Sequence, residues 1–427
     1  MTFAALFSLA SCEINFNFFP TDTETKTETK SENKSTNNNS KTSYIDDDSS
    51  ESKVITELMY EDFSIHFMML GNASAGDSIY IKAGDNDILI DAGSEKSSST
   101  TLISYIDEYC TDKKLEYVIA THGDSDHISA FPSIFDYYSV DTVIDSTYTT
   151  KTTATYKNYV QARESAKNHY TTKECWNNEN GAQRKYILGT GNNGTEISFE
   201  LLYNYYYFNA ASDENNNSVV TMFNYGDKHF FLGGDLEKEG EEKLAEYYDG
   251  STEEKTLPQV ELYKAGHHGS KTSSNDCLLS LIRPKMSVVS CCCGTDEYTG
   301  ITDNQFPTQD YINRIAKYTD SVYVTSTYQS YEILTAEQSV DKNGELKFDK
   351  NGVPVTKKTG VAVGGQYIHT SGYKAMNGNV CVSTNGHHIG LYCSNNYIKL
   401  KDTEWFNTSV TIDGVTRTVR KMPDEWK

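Results

Sequence analysis

The sequence predicts an α/β fold of two sheets, each covered by helices on its outer face. Three observations carry that expectation. Short runs rich in Ile, Val, Phe and Tyr alternate with segments of helical spacing through both halves of the chain. Several of these runs end abruptly in a carboxylate, a histidine or a glycine-rich turn, as strands do at one edge of a sheet. A length of 427 residues exceeds an average domain but suits one large α/β domain with appendages.

The folded region is expected to begin at Leu58. Phe63–Leu70, Ser78–Lys82 and Asp87–Gly93 read as strands, and Leu102, Tyr105, Ile106 and Tyr109 give Ser99–Tyr109 helical spacing. Tyr117–Ala120 is the next strand, followed by a short helix over Phe131–Tyr138. An Asn/Thr/Tyr-rich region near 146–195 lacks regular periodicity. Strands resume at Ser198–Tyr203, Ser218–Phe223 and His229–Leu232, and Leu244, Tyr247 and Tyr248 mark a helix over Glu237–Tyr248. Val260–Lys264, Met286–Ser290 and Ser321–Thr325 read as strands, with a helix over Asp310–Tyr318. Two near-identical turn signals, Asp341-Lys-Asn-Gly344 and Asp349-Lys-Asn-Gly352, suggest a β-rich insertion at 331–377, following a main domain of 58–330. Residues 378–427 are expected to return a last core strand and a C-terminal extension.

The formal charge is −22, and the nine acids and five lysines of the first 53 residues account for only −4 of it. The remaining −18 belongs to the folded part, which argues against tight duplex binding by counterion release. The short apolar start ends in Leu9-Ala10-Ser11-Cys12, which resembles the lipobox of bacterial lipoproteins. Residues 1–12 are therefore expected to be a lipoprotein signal. The polar stretch 13–57 is expected to be a disordered tether, with the folded part extracytoplasmic and lipid-anchored to a bacterial membrane through Cys12, or secreted as the alternative. No run is long and apolar enough for a transmembrane helix, so contact with a membrane is expected through the anchor alone.

Nine cysteines include the consecutive Cys291-Cys292-Cys293 but no Cys-x-x-Cys pair. Neighbours on a strand point to opposite faces, so these three cannot share one tetrahedral site. A Cys381–Cys393 disulfide and buried free thiols both remain open from sequence.

The chemistry concentrates in Thr121-His122-Gly123-Asp124-Ser125-Asp126-His127. Two histidines and two carboxylates gathered where a strand ends are costly to bury without a cation, which points to a metal site. Asp91, Asp235 and the His267-His268 pair likewise follow apolar strands, and Asn217 precedes one. Convergence of these loops would supply ligands for one or two divalent ions. His66 and His229 lie within apolar strands and read as packed, and the 31 tyrosines read mainly as packing, with base stacking the alternative.

Gly76-Asp77, Leu89-Ile-Asp-Ala-Gly93, the 121–127 string, Asn217-Ser-Val-Val220, Leu232-Gly-Gly-Asp-Leu-Glu237 and His267-His-Gly-Ser-Lys-Thr-Ser273 together resemble the metallo-β-lactamase superfamily. More closely, they resemble the hydrolase domain of ComEC-type DNA-uptake proteins. The resemblance runs from about Phe63 to Thr325, resumes at Gly378–Gly386, and implies a four-layered αββα sandwich. It implies His122 and Asp124 on a first metal, Asp126, His127 and His267 on a second, Asp235 between them, and Asp91 orienting a ligand from behind. A histidine common elsewhere in that superfamily is aspartate at Asp124, which makes the first site oxygen-rich and leaves zinc and manganese as rival cofactors.

The resemblance further implies a metal-dependent hydrolase working through a metal-activated water. Asp126 would orient or deprotonate that water. His268, Ser270 and Lys271 would steady a phosphate oxygen or protonate a leaving group, with Ser270 and Asn217 on the substrate side. Departures from the pattern, including Met69, Ala130 and the Cys291-Cys292-Cys293 run, fall toward the substrate and leave the metal cage intact. The expected substrates are phosphodiesters in nucleic acid or nucleotides, with single-stranded DNA a candidate partner. Ester, lactone or lactam hydrolysis and a degenerate surface binding module are the rivals. A basic rim at Lys264, Lys271 and Arg283 would favour the first reading.

Overall fold

The computed structural model describes residues 52–295, 297, 304–335, 361–363, 366–412 and 415–427. Among them, one nine-stranded sheet runs in spatial order Val54–Thr56, Ile389–Cys393, Val380–Thr384, Phe63–Phe67, Ile79–Ala83, Asn86–Ile90, Lys114–Ala120, Ser139–Asp145 and Asn168–Thr171. A second runs Val361–Val363, Gln366–Ala375, Val322–Thr335, Ser287–Cys293, Leu262–Lys264, Lys228–Leu232, Thr221–Tyr225, Glu196–Leu201 and Lys185–Thr190.

Side-chain alternation sorts these strands into layers. Ile79, Ile81, Ile88, Ile90 and Ile119 enter a core shared with Phe199, Phe223, Phe230 and Val288 of the other sheet. Their neighbours Tyr80, Leu89, Val118 and Ala120 face the opposite way, onto Leu102 and Ile106 of the helix Ser98–Ile106 and Phe131 and Ile134 of the helix Phe131–Tyr137. On the outer side of the second sheet, Phe231, Tyr263 and Val289 pack with Leu244, Leu279 and Ile312, from the helices Lys238–Tyr247, Asp276–Ile282 and Gln309–Ile315. The layer order is helix, sheet, sheet, helix, as the sequence predicts. A one-residue register slip would turn each inner row outward, which fixes the pairing.

Asn86–Ile90, Lys114–Ala120 and Ser139–Asp145 are parallel, so their following loops leave from one edge. Lys228–Leu232, Leu262–Lys264 and Ser287–Cys293 are parallel too, and empty into the loops that begin at 233, 265 and 294. Val219 donates to the Thr121 carbonyl at 2.8 Å, which ties the two edges together.

Several boundaries differ from the sequence expectation. Val54–Thr56, assigned above to the tether, pairs in parallel with Ile389–Leu391 at the end of the first sheet. Residues 1–51 of the expected signal and tether lie outside the described residues. The 146–195 region is ordered, with helices Ala154–Arg163 and Thr172–Asn177. Its first helix buries only Tyr159, so no apolar stripe marks it; the signals sit in the caps, at Thr153 and in the Thr171/Glu174 capping box. The 331–377 insertion has no break at its start, because Val322–Thr335 runs straight through that boundary and pairs with Gln366–Ala375; the two turn signals lie outside the described residues. Residues 378–427 return two strands to the first sheet, not one.

The disulfide option fails on register. Cys381 stands opposite Tyr392 and Cys393 opposite Val380, so the two thiols face opposite sides of the sheet and both are free. Among the described residues, no helix is long and apolar enough to cross a membrane.

Candidate metal centre

Asp91 sets the centre up from behind. It ends its strand in the left-handed region, φ 58°, which folds the carboxylate back under the neighbouring loop. Its Oδ1 accepts from the Thr121 amide at 2.8 Å, and its Oδ2 accepts from the Thr121 hydroxyl and from His127 Nδ1, both at 2.7 Å. With Nδ1–H engaged, His127 turns Nε2 toward Asp235 Oδ2, 3.2 Å away. His127 itself rides on the one-turn helix Ser125–Ile128 that follows the 121–124 loop.

Asp235 arrives from the other sheet through Gly233-Gly234, and its amide donates to Ser218 Oγ at 3.1 Å. Gly234 has φ 55°, and a Cβ there would lie 2.9 Å from both Thr121 Cβ and Ser218 Oγ. Gly234→Ala should lower stability by about 1–3 kcal/mol, read as a fall in the thermal midpoint of the metal-free protein. Gly76 is constrained likewise: its φ is 154° and a Cβ would meet the Asp126 carbonyl at 2.5 Å.

The second histidine of the cluster is His268, not His267. His267 and His268 both adopt left-handed backbone, φ 46° and 52°, and Gly269 follows at φ 79°. That tight turn points His268 inward, where Nδ1 donates to the Ser290 carbonyl at 2.9 Å and Nε2 faces Asp126 Oδ2 at 3.4 Å and Asp235 Oδ2 at 3.3 Å. His267, expected as the ligand, instead sets Nδ1 against Glu237 Oε1 at 3.1 Å, with its ring 5.5 Å from Phe306. Adjacent histidines offer the sequence reader no rule for choosing; the pair of positive φ angles decides it.

Asp126, His127, Asp235 and His268 thus present donor atoms that all lie within 4.8 Å of one another. Tetrahedral ligands about 2.0–2.2 Å from a zinc ion stand roughly 3.4 Å apart, close to the 3.2, 3.3 and 3.4 Å of His127 Nε2–Asp235 Oδ2, His268 Nε2–Asp235 Oδ2 and His268 Nε2–Asp126 Oδ2, while His127 Nε2–Asp126 Oδ2 stands wider at 4.0 Å. His268 Nε2 is buried with no hydrogen-bond partner, as a ligand nitrogen awaiting a cation would be. These residues fit a divalent ion. His122 and Asp124 lie alongside, His122 Nε2 standing 3.5 Å from Asp124 Oδ2 with its ring 4.2 Å from that of His127. They provide two donors, and Asp124 is also ion-paired with Lys151.

The remaining expected residues take other places. Asn217 is buried and spends its amide on Glu214 and the Ala211 backbone, holding a turn. Ser270 is buried and shares a hydrogen bond with Thr272, and Lys271 is exposed and bonds Asn304 at 3.1 Å. Lys264 is not on a rim: it is 1% exposed, beneath the centre, between Asp77 and Asp235. Arg283 lies exposed at the far end of the helix whose first turn follows the 265–275 loop.

Glu214 carried no sequence signal. It is buried, and it accepts from the Gly123 amide at 2.9 Å and from Thr149 and Thr150, clamping the 122–124 loop from the other half of the domain.

Electrostatics follow from this crowding. Burial would raise the Asp235 and Asp126 carboxyls, but Lys264, His127 and His268 outweigh it, and both are held well below the usual carboxylate range. Burial would lower His127 and His268, yet Asp235 with Asp91 and Asp77 pulls both up, His268 to about 9. In the metal-free protein both imidazoles are therefore protonated at neutral pH. A proton bound more tightly in the folded state stabilises it fully below the unfolded value near 6.5 and is lost as pH climbs through about 9. The metal-free thermal midpoint should fall over that window. Cation uptake near neutrality should expel protons, an effect read by titration calorimetry in buffers of different ionisation enthalpy.

Residues 71–205 match the family model of the metallo-beta-lactamase superfamily. That match, the layered fold and the donor cluster together give this part of the chain a metallo-beta-lactamase fold carrying a candidate metal centre. Two curated relatives are similar over part of the chain, in keeping with the ComEC-like resemblance. Recombination protein 2 of Haemophilus influenzae is 34% identical over 73 residues, 17% of this chain and 8% of that protein. ComE operon protein 3 of Bacillus subtilis is 26% identical over 178 residues, 42% of this chain and 20% of that protein. The chain therefore spans a fifth or less of the length of these relatives. Among solved structures, the metallo-beta-lactamase fold protein YhfI from Bacillus subtilis is similar at 10% identity, covering 61% of this chain and 95% of that one with a TM-score of 0.34.

Proposed function

We propose that the protein hydrolyses phosphodiesters in nucleic acid or nucleotides. The observation that carries this reading is the buried Asp126–His127–Asp235–His268 cluster, with the two competence-protein relatives indicating the substrate class. When bound, a divalent ion, zinc or manganese, supplies Lewis-acid polarisation of the scissile centre and acidifies water. Asp126, whose side chain is 16% exposed while the other three are nearly sealed, orients the attacking water and accepts its proton. Asp91 and the Ser290 carbonyl fix the two imidazoles so that their Nε2 atoms face inward. Lys271, exposed beside the His268 turn, is the cation available to a phosphate oxygen, with single-stranded DNA as a candidate partner.

A second reading, ester, lactone or lactam hydrolysis, is favoured by one observation: Lys264 lies under the centre and contributes nothing to a basic rim. Metal-reconstituted protein should be incubated with single-stranded DNA, bis-p-nitrophenyl phosphate and nitrocefin. Phosphodiester cleavage that disappears in Asp126→Ala and His127→Ala supports the first reading. Turnover of nitrocefin alone supports the second, and inertness toward all three supports a binding module.

For location, the reading is lipid anchorage at Cys12 outside the cytoplasm, supported by the lipobox-like Leu9–Cys12 string. Incorporation of a palmitate analogue should vanish in Cys12→Ala; its persistence would refute anchorage there.

A further inference from the structure

The deepest charge in the centre belongs to the chain itself. Lys264 is 1% exposed; its ammonium donates to the Gly234 carbonyl at 2.7 Å and to Asp235 Oδ1 at 2.9 Å, and is ion-paired with Asp77 Oδ2 at 2.5 Å. Asp77 is itself buried, 3.6 Å from His268 Nδ1 and 3.8 Å from His127 Nδ1. Asp235 is therefore divided. Its Oδ1 is committed to the ammonium, and only Oδ2 faces the two imidazole nitrogens.

Charge balance makes the division meaningful. Asp77, Asp91 and Asp235 are buried and Asp126 is half-buried beside them, so four carboxylates crowd one place, and their mutual repulsion is severe unless cations answer it. Lys264 answers it permanently with one charge, and a single divalent ion among Asp126, His127, Asp235 and His268 supplies two more. The neighbouring His122–Asp124 pair offers only two donors, and Asp124 is already matched by Lys151.

Resting on the metal-hydrolase reading above, we propose that the Lys264 ammonium serves as the fixed second cation of this centre. The four-residue cluster then holds one divalent ion firmly, and no second ion shares Asp235. Lys264 is a positioning residue in this scheme: it touches neither substrate nor water, and acts by orienting Asp235 and neutralising the carboxylates beneath it.

The test is metal content. The purified full chain is loaded with manganese, and separately with zinc, dialysed against metal-free buffer and assayed by inductively coupled plasma mass spectrometry. The wild type should retain one equivalent. Lys264→Met, which keeps the aliphatic stem but removes the charge, should retain a second equivalent, and Lys264→Arg should restore the wild-type value. Two firmly held equivalents in the wild type would overturn the inference while leaving the hydrolase reading intact. So would a Lys264→Met protein with unchanged metal content. Metal retained by neither protein would remove the hydrolase reading and this inference with it. The wild-type stoichiometry decides the matter even if the methionine variant does not fold.

Discussion

Asp126→Ala is expected to abolish hydrolysis, with kcat/KM falling about 10³-fold or more, since an ion held in the right place supplies several kcal/mol of transition-state stabilisation. The loss has two sources. One of four donors disappears, leaving His268 Nε2, already without a protein hydrogen bond, facing Asp235 alone. The carboxylate nearest solvent, which would take the proton from water, disappears with it. The backbone should tolerate the change, because the one-turn helix Ser125–Ile128 is held by main-chain bonds, including the His127 amide to the Asp124 carbonyl at 3.1 Å. An unchanged fold by circular dichroism together with lost turnover and weakened metal retention is the expected pattern. Retained turnover would show that the chemistry lies elsewhere.

Asp91→Asn should have the next largest effect, although Asp91 touches no substrate. Its Oδ2 receives the His127 Nδ1 proton and the Thr121 hydroxyl proton. An amide nitrogen at that position cannot accept, so His127 is driven to its other tautomer, with Nε2–H aimed into the cluster where a cation would sit. Metal affinity should drop roughly 10–100-fold, as when a ligand's outer partner is removed. Asp91→Ala should lose the same affinity and also stability, about 1–3 kcal/mol for each buried donor left unpaired. Equilibrium dialysis separates affinity from folding, and denaturant melts report the difference between the two variants. Equal affinity in wild type and Asp91→Asn would show that the ring of His127 is fixed by something other than this carboxylate.

The layered fold was legible because alternation in Ile79–Ile81, Ile88–Ile90 and Val118–Ala120 already sorts residues between two faces, and both faces are apolar. The loops of the centre were legible because parallel strands empty at one edge, so Asp91, the 121–127 string, Asp235 and the His267-His268 turn had to meet there. Three features were not. The choice of His268 over His267 depends on two left-handed backbone residues, a local strain that no periodicity encodes. The burial of Lys264 was hidden because a lysine at a strand end ordinarily reaches water; here the strand Leu262–Lys264 is interior and Asp77 comes from a distant turn to meet it. The helix Ala154–Arg163 was missed because a polar helix resting on one tyrosine shows no stripe.

The central claim is that Asp126, His127, Asp235 and His268, from distant parts of the chain, close around one divalent cation. Anomalous diffraction from crystals grown with zinc, collected above and below the zinc edge, tests it most directly. The account predicts a peak about 2.0–2.2 Å from His127 Nε2, His268 Nε2 and a carboxylate oxygen each of Asp126 and Asp235. A peak bound instead through His267, or no peak among these four side chains, would contradict it.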